Sequence, residues 1–402
     1  MFLQIMLSTI IGVVLGAITG ITPGLHLNMV ATAIFSLSPL LLNYFSPVTI
    51  ATILISMSIS HTFLDFIPSI FLGAPDSETA LAVLPGHTLL LRGRAYEAVK
   101  LSVLGGLIGL VFVILLMPLL VLLVPMIYNN IKGYMGWLLL VISIFMILRE
   151  KDTNKRFWSF VVFSLSGLLG LIVFSIPNLK EPLLALLSGL FGISMIVKSV
   201  LKGVNVPQQT ITSNRIKKKK IIKPILAGAF SSSLVSIFPA LGPAQAAILA
   251  SQIFGQLKAK SYLVMMGCIN TVSMIFGLIT LYTISKARNG PIVIIQEIIG
   301  NFGIKELTLL ITISIITAGI SVVLALLLGK LFTRIINSIN YKKISISIIL
   351  LITIIVFYFS GLLGILILTT ATAIGLMPNL LDVGRHNSMG CLLVPVILYF
   401  IL

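Results

Sequence analysis

The sequence predicts an all-α polytopic membrane protein with about 12 to 14 transmembrane or re-entrant segments, arranged as two inverted-topology repeats with broken Pro-Gly helices. Of its 402 residues 58% are hydrophobic and only 9% are charged, and the mean hydropathy is +1.17. Soluble globular domains are far less apolar. Apolar runs of about 20 residues, long enough to cross a bilayer core, recur from one end of the chain to the other. A proline motif that occurs twice indicates the repeats.

The formal net charge of +17 is concentrated in short connectors. Because Lys and Arg mark cytoplasmic loops, membrane topology explains this charge better than nucleic-acid binding does. The rule places four connectors inside: 92–100, 149–156, 202–223 and 330–343. The N-terminus, which lacks basic residues, is then predicted to lie outside the cell membrane.

The apolar segments between these connectors fall in pairs, as they must if both ends of each pair lie inside. In chain order we expect spans near 2–20, 25–44, 47–73, 99–125, 131–149, 157–176, 181–199, 223–237, 240–256, 261–283 and 306–329. The run from Lys343 to Met377 is long enough for two more spans broken near "SGLLG", and 392–402 ends the chain. Cys268 and Cys391 lie in apolar or sparsely polar segments and are expected to be packing residues.

A ladder of small residues that ends in proline occurs twice at one constant offset. The matched positions are Gly12, Gly16, Gly20, Ile21, Pro23, Gly24 and Leu25 against Gly228, Ser232, Ser236, Ile237, Pro239, Ala240 and Leu241. An odd number of predicted segments separates the two copies, so they have opposite orientations. We therefore predict a first repeat over 1–200, a basic cytoplasmic linker over 201–222 and a second repeat over 223–402. Inverted repeats with broken helices are typical of secondary transporters.

The proline motifs predict anion-binding breaks in membrane helices. Pro23 cannot donate to the helix ladder and Gly24 permits unusual backbone angles, so "TPG" leaves unpaired backbone groups that must line a cavity or be buried in protein. The helices restarting after Pro23 and Pro239 would point their N-terminal N–H groups at that cavity. The alternative is two ordinary proline kinks. We expect substrate contacts from the first break and its polar neighbours: Thr22, Pro23, Gly24, His26 and Asn28.

Acidic residues occur where no basic residue is near in sequence. Residues 1–91 contain no Lys or Arg but include Asp65, Asp76 and Glu78. Intramembrane acids require a cation or a proton, so these three, with the hydroxyls of Thr62 and Ser77, are predicted to bind Na⁺ or H⁺ as a coupling ion. The stretch 73–87, which ends at His87, is either a re-entrant hairpin that contributes to the site or an exposed loop.

Polar residues in the second half have two interpretations. Asn270 and Thr271 lie at a depth comparable to that of His61 and Thr62, and Gln245 follows the second break. Each could contact the transported anion. Each could also form an interhelical hydrogen bond, which is the commoner use of an amide in a membrane helix.

Several motifs in a fixed order resemble a known family. "GAITGITPGLHLNMVATAIFSLSPLLL", "APDSETALAVLPGHTLLLRGRAYEAVKLSVLGG", "FPALGPAQAA" and "CINTVS" are similar to the large membrane (permease) subunit of tripartite tricarboxylate transporters, the TctA family, in its archaeal-type branch. The resemblance implies a carboxylate permease driven by a cation gradient, with a small membrane subunit and a periplasmic binding protein as partners. It assigns Pro23, Gly24, Pro239 and Gly242 to proline-glycine hairpins, and Pro85, Gly86 and Gly93 to a glycine-rich loop. This chain departs from the family's pattern at "FIPSIF" and at the acids of "PDSE".

The sequence thus predicts a secondary carrier for an organic anion, not an enzyme, with no cofactor beyond the coupling ion and no structural metal. It leaves a homo-oligomer open. A polyprenyl-phosphate translocase is the alternative, because a lipid phosphate would also suit paired helix N-termini. An intramembrane protease is disfavoured, since no HExxH motif is present and Asp65 lacks a Gly-x-Gly-Asp setting.

Overall fold

The computed structural model of this protein describes residues 2–22, 27–73, 79–150, 152–177, 179–201, 207–211, 219–237, 242–287, 289–338 and 341–402. Within these ranges every regular element is a helix. The α-helices are α1 Phe2–Ile21, α2 Leu27–Ser36, α3 Ser38–Leu41, α4 Pro47–Leu64, α5 Phe66–Phe71, α6 Val83–Leu90, α7 Ala95–Ile131, α8 Met135–Leu148, α9 Thr153–Ser175, α10 Pro182–Leu187, α11 Ser194–Leu201, α12 Lys219–Ile237, α13 Pro243–Ile253, α14 Ala259–Ile284, α15 Gly290–Ile299, α16 Ile304–Ser338, α17 Tyr341–Leu380 and α18 Gly390–Ile401. A π-helix, Ser188–Ile193, joins α10 to α11, and 3₁₀ turns occupy Ala80–Ala82, Lys132–Tyr134 and Arg385–Met389.

The described helices confirm an all-α polytopic membrane protein. Seven described helical stretches are long and apolar enough to cross a membrane. Their buried side chains form two hydrophobic cores, one made mainly by α4–α7, α12 and α14–α16, against which α1 packs partly buried side chains, and the other by α8–α11, α17 and α18. Helix α13 contributes to both, with Ala246 and Ala247 in the first core and Ala244 and Ile248 in the second. Each core therefore combines helices from both sides of the basic linker.

The small-residue ladders allow two pairs of helices to approach closely. A methyl group at Gly12 or Gly16 of α1 would lie 2.6 or 2.3 Å from backbone atoms of α4. In the matched segment, a methyl at Gly228 of α12 would lie 2.9 Å from a carbonyl of α14, and the Ser232 hydroxyl donates to the Ile269 carbonyl at 3.1 Å. The matched ladders thus occupy equivalent positions against α4 and α14. The inverted relation between the halves stays a prediction.

Two of the expected segments are short in the described residues. The described part of α2 has 10 residues and α13 has 11, which at about 1.5 Å per residue cover less than a hydrocarbon core of about 30 Å. Such lengths agree with re-entrant segments, which the prediction of transmembrane or re-entrant segments includes. Apolar patterning showed where helices lie, but it did not show how far each penetrates. An additional short helix, α15, lies between α14 and α16.

The centre of the molecule depends on a glycine crossing between α7 and α14. A methyl at Gly105 would lie 2.0 Å from the Val264 carbonyl oxygen, and one at Gly267 would lie 1.9 Å from the Ser102 carbonyl oxygen. Only glycine permits backbones to come this close, as at small-residue interfaces of membrane helices generally.

Part of the basic linker is anchored to the helical body. Gln209, which is 4% exposed, accepts the Ala95 amide at the start of α7 and donates to the Leu90 carbonyl at the end of α6. Its own backbone amide donates to the Asn337 side chain at 2.7 Å. One glutamine thus connects α6, α7 and α16.

Helix α17 contains the break that the sequence predicted. Gly361 has non-helical angles (φ 61°, ψ −154°) inside the segment, so it consists of two helices. The Ser360 hydroxyl at this break donates to the Lys180 carbonyl, while Asn379 at the far end accepts from Lys198 at 2.9 Å. The two halves of α17 therefore end at connectors that the topology places on opposite sides.

Candidate functional site

Helices α4 and α14 are the most enclosed helices of the described bundle. In the apolar stretches Pro47–Phe71 and Ala259–Ile284, 94% and 100% of the most apolar window is buried. Both nevertheless carry polar residues at mid-length. Polar side chains in such positions are costly unless they contact each other or line a functional path.

A proline explains why Asp65 lies at a break in a buried helix. Pro68 has no N–H to donate to the Leu64 carbonyl four residues earlier, and its ring crowds that carbonyl. Helix α4 therefore ends at Leu64 and α5 begins at Phe66, with Asp65 between them. The Asp65 side chain is only 2% exposed.

Asp65 is held by the opposite central helix. Asn270 of α14 donates through Nδ2 to Asp65 Oδ2 at 2.8 Å and to the Thr62 carbonyl at 3.3 Å. The hydroxyls of Thr62 and Thr271 lie 3.4 Å apart. A hydrogen bond to a charged group contributes about 1.5–3 kcal/mol, so this contact is a substantial link between the two helices.

His61 extends the cluster towards α1. Its Nδ1 lies 3.0 Å from the Thr19 hydroxyl, and its Nε2 lies 4.0 Å from Asp65 Oδ2. The Thr19 hydroxyl also donates to the Gly16 carbonyl, within the ladder that packs on α4. We call His61, Thr62, Asp65, Asn270 and Thr271 the central polar cluster; all are at most 2% exposed.

The central polar cluster is rich in oxygen acceptors. Asn270 Oδ1 is buried and accepts no hydrogen bond from the described residues. Within the described ranges no three His, Cys, Asp or Glu side chains gather in a metal-binding group. A cation here would therefore need hydroxyl and amide oxygens beside the Asp65 carboxylate, which is the ligand chemistry of a hard ion.

Several predicted site residues lie outside the described ranges. They are Pro23, Gly24, His26 and Pro239 of the breaks, and Asp76, Ser77 and Glu78 of the acidic stretch. Beside the first break, Thr22 follows α1 and is exposed, while Asn28 in α2 is exposed next to α15. A methyl group at Gly290 would lie 2.5 Å from Asn28 Oδ1. The described contacts do not join Thr22 or Asn28 to the central polar cluster.

The second break has a capped helix start. Gln245 accepts the Gly242 amide at 2.9 Å through Oε1, so one of the N–H groups at the start of α13 already has a partner. The Nε2 of Gln245 is buried and donates no hydrogen bond to the described residues. Gln245 borders an apolar cavity of about 240 Å³ between α8, α12 and α13.

Pro85, Gly86 and His87 lie in helix α6, where the resemblance implied a glycine-rich loop. A methyl at Gly86 would lie 2.8 Å from an Ile70 carbon, so this glycine permits α6 to pack on α5. Gly93, in the following turn, has the positive φ of 72° that favours glycine. Only Gly93 of these has loop geometry.

A larger cavity of about 800 Å³ lies where the two cores meet. Pro85 and Thr88 of α6 line it, but so do Arg149 and Arg385, which sequence reasoning did not assign to a site. In the sequence, Arg149 marked only the side of the membrane on which its connector lies. The feature that could have pointed to Arg385 is that it is a single arginine, in "DVGRHN", between two apolar runs.

The comparisons with known proteins agree with the fold. A family model described as "Tripartite tricarboxylate transporter TctA family" matches residues 6–390. An uncharacterized protein of the archaeon Methanocaldococcus jannaschii is 32% identical over 409 residues, which cover 98% of this chain and 99% of that protein. No solved structure matches the chain.

Proposed function

Because the chain belongs to the tripartite tricarboxylate transporter TctA family, we propose that it is a permease that moves an organic carboxylate through the cell membrane, driven by Na⁺ or H⁺. The family implies a small membrane subunit and a periplasmic binding protein as partners. The proposal includes an N-terminus outside the cell, and it names the substrate only as an organic carboxylate.

The observation that carries the proposal is the contact between Asp65 and Asn270. The Asp65 carboxylate is buried between two enclosed helices and accepts a hydrogen bond from the Asn270 amide of the opposite half at 2.8 Å, which supports the proposal. Burying a charged carboxylate in a low-dielectric site costs several kcal/mol, which a bound cation or proton can offset. Such a group binds its ion more tightly in one arrangement of the helices than in another, which is what coupling requires.

Sodium is the coupling ion that the surroundings of Asp65 favour. The Thr62 and Thr271 hydroxyls and the Asn270 carbonyl oxygen are neutral hard ligands, and Asn270 Oδ1 has no donor among the described residues. A proton would need only the Asp65 carboxylate and would make no use of these additional oxygen ligands.

The test uses Asp65→Asn, which removes the charge and keeps an oxygen that can accept from Asn270. Protein in proteoliposomes, with the small membrane subunit and the periplasmic binding protein supplied, is assayed for citrate uptake with sodium varied at constant ionic strength, and separately with pH varied. Sodium coupling predicts that sodium raises citrate affinity in the unmodified protein and that the variant loses this response. By linkage, citrate must raise sodium affinity by the same factor.

Glu297→Gln is the matched control, because Glu297 is an exposed carboxylate on α15 outside the cluster. It should keep the sodium response. A response to pH alone, flattened by Asp65→Asn, would assign the proton instead. If Asp65→Asn responds to sodium and pH as the unmodified protein does, Asp65 has no coupling role.

A polyprenyl-phosphate translocase remains the second candidate, and the apolar cavity of about 240 Å³ beside Gln245 is the observation that favours it. Thermal-shift measurements on purified protein separate the two. Stabilisation by polyprenyl phosphates and by no carboxylate would reverse the order of the candidates.

A further inference from the structure

The cavity between the two cores has the size of a small-molecule site. Its volume of about 800 Å³ lies within the roughly 300–1,000 Å³ typical of ligand pockets. The walls of the cavity come from both cores. On the side of the first core they are α6, the end of α13 and the start of α14, and on the side of the second they are the end of α8, the π-helix and the 3₁₀ turn at Arg385. A site between two separately packed bodies can change its access when one moves against the other.

Arg385 is fixed in the wall of this cavity by neutral acceptors. Its Nη2 donates to the Phe191 carbonyl at 3.2 Å, to the Ser194 hydroxyl at 3.2 Å and to the Leu190 carbonyl at 3.5 Å. Two of these acceptors belong to the π-helix, a rare element that is frequent at functional sites. Within the described residues no Asp or Glu lies within ion-pair distance of Arg385.

The charges around the cavity leave it positive. Arg149, Arg385, Glu150 and Asp382 line it, and Asp382 forms an ion pair with Lys155. Glu150 accepts the Gly384 amide at 2.9 Å, while Arg149 donates to the Gln252 side chain. With Lys155 counted beside the four lining residues, three positive charges face two negative ones around the cavity, an excess of one that favours an anion.

We propose that Arg385 binds the oxyanion group of a small carboxylate or phosphate solute in the cavity between the two cores. Arginine's planar fork matches both groups, and its three neutral acceptors orient it without neutralising its charge. The inference rests on the proposed function in one respect: the transported carboxylate is the expected occupant. It assigns anion binding to Arg385, a residue separate from Asp65, which is proposed to bind the coupling cation.

The experiment titrates purified protein with citrate and, separately, with inorganic phosphate at constant ionic strength. Arg385→Gln should weaken binding of the anion about tenfold or more, because a charge-assisted bond is lost. Arg385→Lys, which keeps the charge without the fork, should weaken it less. Arg92→Gln, at an exposed arginine that does not line the cavity, should bind as the unmodified protein does.

The outcomes separate this inference from the proposed function. Wild-type affinity in Arg385→Gln and Arg385→Lys, or binding of neither anion to the unmodified protein, would overturn the inference. Citrate uptake with an unchanged KM in Arg385→Gln would also overturn it while leaving the permease intact. Arg385-dependent binding without any uptake, when the small membrane subunit and the binding protein are supplied, would instead reject the permease. If Arg385→Gln is misfolded, which gel filtration would show as the absence of a monodisperse peak, the anion affinity of Arg385→Lys tests the inference in its place.

Discussion

At the scale of single residues, the central polar cluster is organised by Asn270. Its Nδ2 donates to both Asp65 and the Thr62 carbonyl, and the Ser273 hydroxyl donates to its backbone carbonyl at 2.7 Å. The asparagine therefore fixes a carboxylate on α4 from a helix in the other half of the chain. The commoner interpretation of a membrane asparagine, an interhelical hydrogen bond, holds for Asn270. Its side-chain Oδ1 accepts no hydrogen bond from the described residues and can still serve as an ion ligand.

Asn270→Ala should weaken sodium binding about tenfold, because it removes one oxygen ligand and a charge-assisted bond worth about 1.5–3 kcal/mol. Sodium titration of the thermal unfolding midpoint measures the effect. Asn130→Ala is the control, since Asn130 is exposed and bonds only within its own helix. Equal sodium affinity in both variants would mean that Asn270 serves packing alone.

At the scale of elements, the close helix crossings depend on glycines whose surroundings differ sharply. A methyl at Gly105 in α7 would lie 2.0 Å from a backbone carbonyl oxygen, whereas one at Gly319, inside the similarly long α16, would meet no atom of the described residues within 4 Å. We therefore expect the same substitution to change the stability of the protein in opposite directions at these two positions.

Gly105→Ala should destabilise the protein by about 1–3 kcal/mol or more, since the backbones of α7 and α14 must separate. Gly319→Ala should be neutral or stabilising by about 0.5–1 kcal/mol, because it replaces a flexible helical residue. Thermal unfolding in detergent measures both. A stable Gly105→Ala protein would show that the central crossing tolerates a wider separation.

The second helix break gives another prediction at this scale. Among the described residues, a methyl at Gly242 would meet the Gln245 side-chain oxygen alone, at 3.6 Å, so we expect Gly242→Leu to fold. If the start of α13 faces the transported anion, the larger side chain should weaken citrate binding. Gly133→Leu, at a glycine with nothing within 4 Å, is the control. Unchanged citrate affinity in Gly242→Leu would favour an ordinary proline kink.

At the scale of the whole molecule, contacts between connectors agree with the predicted sidedness. Lys260 bonds to Glu97 at 2.8 Å, which joins two regions predicted to lie inside. Lys286 donates to Tyr128, which joins two regions predicted to lie outside. These pairings fix which connectors share a side, but the absolute orientation stays a prediction.

Single cysteines near Lys218 and near Asn289 should therefore react with an impermeant reagent from opposite sides of the membrane, the first from the cytoplasm. The native Cys268 and Cys391 are buried and free, so replacing them by serine removes any background from these thiols. Labelling of both new cysteines from one side would remove the inverted-repeat prediction and the arguments built on it.

The sequence by itself determined the class of the protein, because composition and the length of apolar runs report directly on the solvent around each helix. It also located the break at Gly361, and it drew attention to Asp65, Asn270 and Thr271 as polar residues in apolar segments. These are local properties: each depends on residues that are near in sequence or on a simple count of crossings.

Only the tertiary structure decided which polar residues meet. The pairing of Asp65 with Asn270 joins positions far apart along the chain, and no periodicity specifies such a contact. The short lengths of α2 and α13, the helical state of Pro85 and Gly86, and the position of Arg385 in a cavity wall likewise depend on how separate helices pack. An arginine between two apolar runs looks like any topology marker until the π-helix and the second core are placed around it.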